Sequence, residues 1–311
     1  MTVTGAAIGL DLGGTKIAAA LVAPNGTVLA RHTRATPAAD GPDAVLDALA
    51  AAARSVDGDT GPGVGVLGVA AAGVIDPVTG TVTSATDSIR GWAGTALAAG
   101  LAARTGLPVA CDNDVRATAA PELAAAGAGA SLVYMAIGTG VGGAVAVGGR
   151  MVHGTAGIAG HLGHVPSPEA AGLPCTCGGT GHLEAVASGP GIAALYGRLT
   201  GLPVDRLETV AERAASGEEP TVRAIVTGAV AAGRILGGLA NTLGPDRVVV
   251  GGGVPHIGPL YWDALTEAFA AELMPPLARL RPSRPLFGAD AAVIGAARLP
   301  THVPLHAPPP S

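Results

Sequence analysis

The chain has 311 residues, of which 49 are glycine, 49% are hydrophobic and 13% are charged; at about 100–200 residues per domain, that length allows two domains. Eighteen Lys and Arg against 23 Asp and Glu leave a net charge of −5, which lacks the basic face of a nucleic-acid-binding protein and excludes that class of partner. The longest uncharged stretch, Leu123 to Gly149, carries eight glycines and breaks into strand-length pieces, so it does not supply the roughly 20 unbroken apolar residues of a spanning helix, and no membrane partner is expected.

In chain order, residues 6–12 read as an apolar strand ending at Gly13-Gly14, 17–22 as a second strand stopped by Ala23-Pro24-Asn25-Gly26, and 27–32 as a third. Strand, glycine turn, strand, turn, strand is a β-meander. Residues 43–56 read as a helix, 63–70 as a strand, Asp76-Pro77 as a turn and 94–104 as a helix. A buried strand through 109–111 then enters Cys111-Asp112-Asn113-Asp114, with Pro121 expected to kink the helix that follows. The meander pattern recurs at 132–137, a glycine loop at 138–143, 144–147, Gly148-Gly149 and 151–153. Two meanders, each with one glycine turn able to face a phosphate, indicate a duplicated architecture. From Gly189 the chain reads as helical, with 222–243 the longest candidate; a strand at 247–250 meets Gly251-Gly252-Gly253, and a last helix covers 289–298. Five prolines among residues 299–311 predict a disordered tail. The N-terminal stretch has no basic segment ahead of an apolar run and three cysteines cannot frame a disulfide scaffold, so a cytoplasmic location is expected.

Both glycine loops imitate familiar nucleotide motifs and fail their structural requirements. Gly138 to Gly143 matches GxGxxG, but a strand follows instead of a helix, and no acidic residue occurs between Glu122 and Glu169 to hold a ribose. Gly9 to Lys16 has Thr before Lys and continues into a hairpin, so it lacks the helix N-terminus of a P-loop. Either loop alone reads as an ordinary hairpin. With Asp11 at the strand end, a carboxylate beside exposed N–H groups suits a Mg²⁺-phosphate complex.

The strings LDLGGTK at 10–16, NDVRATA at 113–119, IGTGVGG at 137–143, GIAGHLGH at 157–164 and CTCGGTGHLEAVASG at 175–189 occur in that order. Together they resemble the ROK family of sugar kinases and repressors. The resemblance implies an α/β protein with the actin-like, ribonuclease H-like ATPase fold. Its two lobes carry a duplicated β-meander core, with ATP and sugar in the cleft between them. Residues 1–117 would form the N-terminal lobe, rejoined by the helix at 289–299, and 118–288 the C-terminal lobe, with 300–311 left as the tail.

On that reading Asp114 is the catalytic base, set where a buried strand passes into a helix, a place that holds a side chain rigidly. An N-cap role is the alternative for the same position. Asn113 would hydrogen-bond the sugar, and Asp112 is read as an ordinary cap or turn residue. Gly13, Gly14 and Thr15, and Gly138, Thr139 and Gly140, resemble the two phosphate loops of the family, and Gly252 and Gly253 its adenosine-side turn. Asp11 would organise Mg²⁺ through water. Lys16, the one lysine in the chain, meets either phosphate or solvent, with the site role favoured.

Cys175 and Cys177 at i, i+2, His164 upstream and His182 five residues after Cys177 offer four N/S ligands, enough to close a tetrahedral structural Zn²⁺ site. The family pattern carries a third Cys where this chain has His182. Imidazole also ligates zinc, and the alternative is a His182 with no metal. The resemblance further implies that His164 bridges metal and sugar and that Glu184 accepts from sugar hydroxyls. Gly73, Thr86 and Asp87 lie where family members approach the sugar, with Asp87 in place of a common Asn.

His161 stands where glucokinase-like members carry Glu, and the pattern G-x-x-G-H-x-G-H is similar to that of members acting on N-acetylmannosamine. A carboxylate accepts two hydroxyls, whereas a neutral imidazole accepts one bond and donates one. The expected activity is therefore ATP- and Mg²⁺-dependent phosphorylation of a sugar 6-hydroxyl, with N-acetylmannosamine leading. Glucose, an amino sugar such as kanosamine and a C7-cyclitol remain as alternatives, as does a tolerated swap at His161 with no change of specificity. A repressor is disfavoured because LDLGG begins at residue 10, leaving no expected winged helix. A non-catalytic sensor is disfavoured by Asp114 together with both loops. The family's tendency to form dimers and tetramers implies a homodimer or homotetramer.

Overall fold

A computed structural model describes residues 5–57, 64–204 and 206–308. The chain divides into two compact units, one formed by Met1–Glu122, His153–Ala159 and Phe287–Ser311, the other by Leu123–Val152 and Gly160–Leu286.

The first unit opens with β1 (Ala7–Leu12), β2 (Lys16–Val22) and β3 (Val28–Ala35), the expected meander. Next come α1 (Pro42–Asp57), β4 (Leu67–Ala71), a hairpin of β5 (Val74–Asp76) and β6 (Thr81–Ser84), α2 (Leu97–Thr105), β7 (Val109–Asn113) and α3 (Asp114–Ala126). Its main sheet has the order β3-β2-β1-β4-β7, antiparallel across the meander and parallel from β1 to β7. Because side chains alternate along a strand, Ile8, Leu10 and Leu12 pack with α1 while Ala7 faces the other way. Burial on both faces explains why β1 reads as an unbroken apolar run, whereas the edge strand β3 alternates half-buried and exposed residues. The strand expected from residue 63 begins at Leu67, and residue 63 itself lies outside the described residues. The helix expected from residue 94 starts at Leu97, because Gly94 adopts φ +89° within a turn.

The second unit repeats the meander as β8 (Leu132–Ile137), β9 (Val141–Val147) and β10 (Arg150–Met151). After a long irregular stretch come α4 (Glu184–Ala187), α5 (Gly189–Thr200), α6 (Leu207–Ala215), α7 (Glu219–Leu243), β11 (Arg247–Gly251), α8 (Pro259–Glu272) and β12 (Pro282–Ser283). Its sheet has the order β10-β9-β8-β11-β12, the same plan as the first. The α7 helix is long and apolar enough to cross a membrane, yet half of its most apolar stretch is buried inside this unit, where Ala229, Ala232 and Leu236 share a core with Leu265 and Phe269 of α8. That is the position of a core helix.

The chain then returns to the first unit through α9 (Ala291–Arg298), which lies on the face of β1 and β4 opposite α1. Its approach is closer than side chains would allow. A Cβ on Gly9 would sit 1.9 Å from the Val293 carbonyl oxygen, and one on Gly295 would sit 1.7 Å from the Ala117 oxygen. Pro121 has no N–H to give to that Ala117 oxygen, so the backbone of Gly295 fills the place the proline leaves, and α3 continues through it.

The proline-rich end departs from expectation. Leu299–Thr301 forms a 3₁₀ turn, Val303 is buried with Ala110 and Leu299, and His306 exchanges both backbone hydrogen bonds with Val109 at the edge of β7. Prolines at 300, 304 and 308 flank this bridge without occupying it, so they cost no ladder bond. Residues 309–311 of the expected tail lie outside the described residues.

Candidate active site and metal cluster

In the first unit the site is built on the ends of β1, β4 and β7. The turn at Gly13–Thr15 is closed by Gly13 N–H donating to the Lys16 carbonyl at 3.0 Å. Thr36 holds it from behind, its hydroxyl donating to Gly13 O at 2.8 Å and its N–H to Thr15 O at 3.0 Å. Asp11 lies below this turn; burial raises its pKa and the Lys16 ammonium opposes that rise. Lys16 is exposed, and its charge acts on the Asp11 carboxylate.

Asn113 and Asp114 divide the junction between them. Asn113 Oδ1 accepts from the N–H groups of Val115 at 3.0 Å and Arg116 at 3.2 Å, so Asn113 is the N-cap of α3. Asp114 is thereby released from capping. Its Oδ1 accepts from Asn113 Nδ2 at 2.7 Å and from Val115 N at 2.9 Å, and its own backbone N–H adds a further hydrogen bond to the carboxylate. Burial and the neighbouring Asp11 carboxylate push the Asp114 pKa up to about 6, against the hydrogen bonds from Val115 and Asn113 that favour its charge. Asn113 Nδ2 also donates to Gly73 O at 3.0 Å. Gly73 has φ +102°, and a Cβ there would meet Ser84 O at 2.6 Å, so glycine is needed to present that carbonyl. Thr86 and Asp87 are exposed on the turn after β6, which touches the first glycine turn through Ser88, 3.2 Å from where a Gly14 Cβ would stand.

Asp112 is not the cap or turn residue the sequence suggests. It is 2% exposed and paired with Arg116, 1% exposed, at 2.7 Å, and its other oxygen meets His153 Nε2 at 2.8 Å. Arg116 also donates to the carbonyls of Gly157 at 3.0 Å and Ala159 at 3.2 Å. This buried group fixes His153–Ala159 against the start of α3, directly below Asn113 and Asp114 in sequence. The i, i+4 spacing of Asp112 and Arg116 was a visible signal for the pair; His153, 41 residues away, gave none.

In the second unit the glycine turn is shorter than its sequence pattern. It spans Gly138, Thr139 and Gly140, while Gly142 and Gly143 pair within β9 opposite Ala136 and Met135. Gly143 is small because the segment at 160–163 lies on that strand: a Cβ on Gly143 would come 2.5 Å from the Leu162 side chain, and one on Gly163 would come 2.2 Å from Val141 O. His161 and His164 ride on this segment with stacked rings, centroids 6.5 Å apart. Gly252, with φ +90°, sits against Ile137, so the Gly252–Gly253 turn reaches the strand end that leads into Gly138.

The ligating atoms of His164, Cys175, Cys177 and His182 all lie within 4.8 Å of one another. Cys175 Sγ is 3.5 Å from His164 Nδ1, and Cys177 Sγ is 3.2 Å from His182 Nδ1. Zinc at about 2.0–2.3 Å from each ligand needs ligand separations of this size, so the four residues fit the ion. Cys111, by contrast, is buried in the other unit with its thiol pushed up to about 12, outside the range of a ligand or nucleophile at neutral pH. Glu184 is tied within its own unit: Oε2 accepts from Val141 N–H at 2.8 Å and Oε1 from the Thr176 hydroxyl.

Paired meander sheets, each with a glycine turn at its first hairpin, and a carboxylate at a strand-to-helix junction define the actin-like ATPase fold. The ROK family pattern matches residues 7–302. A protein of Escherichia coli named N-acetylmannosamine kinase is 34% identical over 250 residues, covering 79% of this chain and 82% of its own. Among solved structures, a ROK hexokinase from Thermus thermophilus superposes with a TM-score of 0.85 at 32% identity, over 94% of this chain and 97% of its own. A ROK family glucokinase from Streptomyces griseus, in complex with glucose and AMPPNP, gives a TM-score of 0.75 at 31% identity, over 95% and 99%. The chain belongs to the ROK family.

Proposed function

We propose that this protein is an ATP-dependent kinase that transfers the γ-phosphoryl group to the 6-hydroxyl of a sugar, with N-acetylmannosamine as the preferred acceptor. The observation that carries the reading is the arrangement at Asp114. Asn113 takes over the capping of α3, Asp114 Oδ1 is held by Asn113 and Val115, and the pKa of about 6 leaves the group mostly ionised at neutral pH yet basic enough to take a hydroxyl proton. The hydroxyl oxygen attacks the γ-phosphorus as its proton passes to Asp114 Oδ2, and the bond to the bridging oxygen breaks to release ADP.

The remaining residues are assigned around that step. The backbone N–H groups of the turns at 13–15 and 138–140 hold phosphate oxygens, Lys16 adds a positive charge, and Gly252 and Gly253 admit the adenosine. Asp11 would hold Mg²⁺, which neutralises phosphate charge. His164, Cys175, Cys177 and His182 would hold Zn²⁺, which closes the 164–182 segment as a structural brace. With one nitrogen on the metal, His164 would present the other as a fixed donor to the sugar. His161, Asn113, Glu184, Gly73, Thr86 and Asp87 complete the sugar contacts; Asn113 and Glu184 must exchange an internal hydrogen bond for a sugar hydroxyl. We place the enzyme in the reducing cytosol, where its thiols stay available to metal, as a homodimer or homotetramer with no nucleic-acid or membrane partner.

The choice of acceptor rests on His161 and on the relative named N-acetylmannosamine kinase. A second reading, glucose, is favoured by the likeness to the Streptomyces griseus glucokinase. A coupled assay of ADP release across N-acetylmannosamine, glucose, kanosamine and a C7-cyclitol separates them. Highest kcat/KM on N-acetylmannosamine is expected; strong turnover of glucose with none on N-acetylmannosamine overturns the acceptor assignment.

A further inference from the structure

Glu184 joins the second glycine turn to the loop that carries Cys175 and Cys177. Thr176 stands between Cys175 and Cys177, and its hydroxyl donates to Glu184 Oε1. The other oxygen of the same carboxylate accepts from Val141 N–H at 2.8 Å, at the first residue after the glycine turn. Contact with the turn itself is close: a Cβ on Gly140 would stand 2.7 Å from Glu184 Oε2. The opposite limb of the turn is held by Gly189 N–H donating to Gly138 O at 2.9 Å, and Ser188, which caps α5, returns its hydroxyl to the Glu184 carbonyl at 2.8 Å. The turn at 138–140 is therefore suspended between Glu184 and the start of α5. One of those two anchors is itself anchored to the loop that carries both thiol ligands.

We infer that metal in the His164, Cys175, Cys177 and His182 cluster orders the second phosphate turn through Thr176 and Glu184, so that nucleotide affinity depends on the metal even when no sugar is bound. A metal closing the cluster fixes Cys175 and Cys177, and Thr176 between them has little freedom left. Its hydroxyl then holds the Glu184 carboxylate in the rotamer that takes Val141 N–H. With the cluster open, that rotamer competes with solvated ones, and the turn loses one of its two supports. Glu184 and Thr176 act here as positioning residues: they meet the turn and the metal loop and leave the phosphate contacts to the backbone. The inference rests on the assignment of 138–140 as a phosphate turn.

The test is calorimetric titration of Mg²⁺-AMPPNP, without sugar, into zinc-reconstituted and chelator-treated protein. For the unaltered chain, chelation is expected to weaken AMPPNP by about five- to tenfold, at the lower end of ordinary coupling between sites. Thr176→Val in its zinc-loaded form is expected to show a similar loss while keeping its metal by elemental analysis, and Thr176→Ser, which retains the hydroxyl, is expected to restore the affinity. These arms do not require the metal-free protein to stay folded. A zinc-loaded T176V that binds AMPPNP as tightly as the unaltered chain overturns the inference. Loss of zinc from T176V also overturns it, because the hydroxyl would then support the ligands and not Glu184. Failure of the zinc-loaded, unaltered chain to bind AMPPNP at all removes the kinase assignment itself, an outcome distinct from both.

Discussion

Asp114→Asn should make the protein more stable and nearly inactive at once. The Asp114 pKa is raised to about 6, against about 3.9 for an unfolded aspartate. A difference of roughly two units is worth about 3 kcal/mol between the protonation states. The folded state holds this proton more tightly than the unfolded chain. The stabilisation it gives is therefore complete below about pH 4 and is lost as pH rises through about 6, after which the folded protein carries an ionised carboxylate beside Asp11. Asn at this position keeps an oxygen for Val115 N–H and Asn113 Nδ2 and removes the charge. Partial solvent access at Asp114 and the weaker bonds of a neutral acceptor reduce the gain to about 1–2 kcal/mol at pH 7. Thermal melting at pH 4, 5, 6, 7 and 8 is the assay, read with turnover at each pH. D114N should melt above the unaltered chain at pH 7 and 8 by a few degrees, with the advantage shrinking toward pH 4. Its turnover should fall by about 10²-fold or more. The unaltered enzyme should lose kcat/KM with unit slope as pH falls below about 6. A D114N protein less stable than its parent at pH 7, or one whose melting advantage does not change with pH, would refute the reasoning.

Other consequences follow from particular contacts. Arg116→Met leaves Asp112 buried without its guanidinium partner and should cost about 3–5 kcal/mol in denaturant unfolding; a cost under about 1 kcal/mol would show that the pair is solvated. Zinc-reconstituted protein should carry about one metal per chain by elemental analysis, and His182→Ala should lose it on dialysis while His153→Ala keeps it. Equal retention in both variants would assign the metal to other residues. Gly9→Ala puts a methyl 1.9 Å from the Val293 carbonyl oxygen and should destabilise by about 1–3 kcal/mol or more, since only a shift of α9 makes room for it; an unchanged melting temperature would mean that α9 is not held against β1.

Both meanders were legible in the sequence because short apolar runs separated by Gly-Gly, Pro-Asn-Gly and Gly-Thr-Gly leave little choice but hairpins. The order of the strands within each sheet was not legible there, since parallel pairing of β1 with β4 and of β8 with β11 leaves no local mark. Misread features share one cause, a partner distant in the chain. Gly142 and Gly143 read as loop because glycine is a turn former, but both pair within β9, and Gly143 is small to admit Leu162 and Gly160. Asp112 read as a cap because its second partner, His153, and the carbonyls of Gly157 and Ala159 that hold Arg116 lie some 40 positions on. The final prolines read as disorder because composition does not reveal that Val303 and His306 find places against β7. At the candidate site, residue types singled out Asp114 and the cluster of His164, Cys175, Cys177 and His182. That Asn113 caps α3 and so frees Asp114, and that Glu184 holds the glycine turn, required coordinates.

The most direct test of the central claim is ³¹P NMR of a reaction containing ATP, Mg²⁺, N-acetylmannosamine and the zinc-loaded protein. The account predicts a sugar phosphomonoester resonance coupled to the two C6 protons, growing as ADP appears, and absent over the same period with D114N. ATP consumption with no sugar phosphate, phosphate on a different hydroxyl, or equal product from D114N would contradict it.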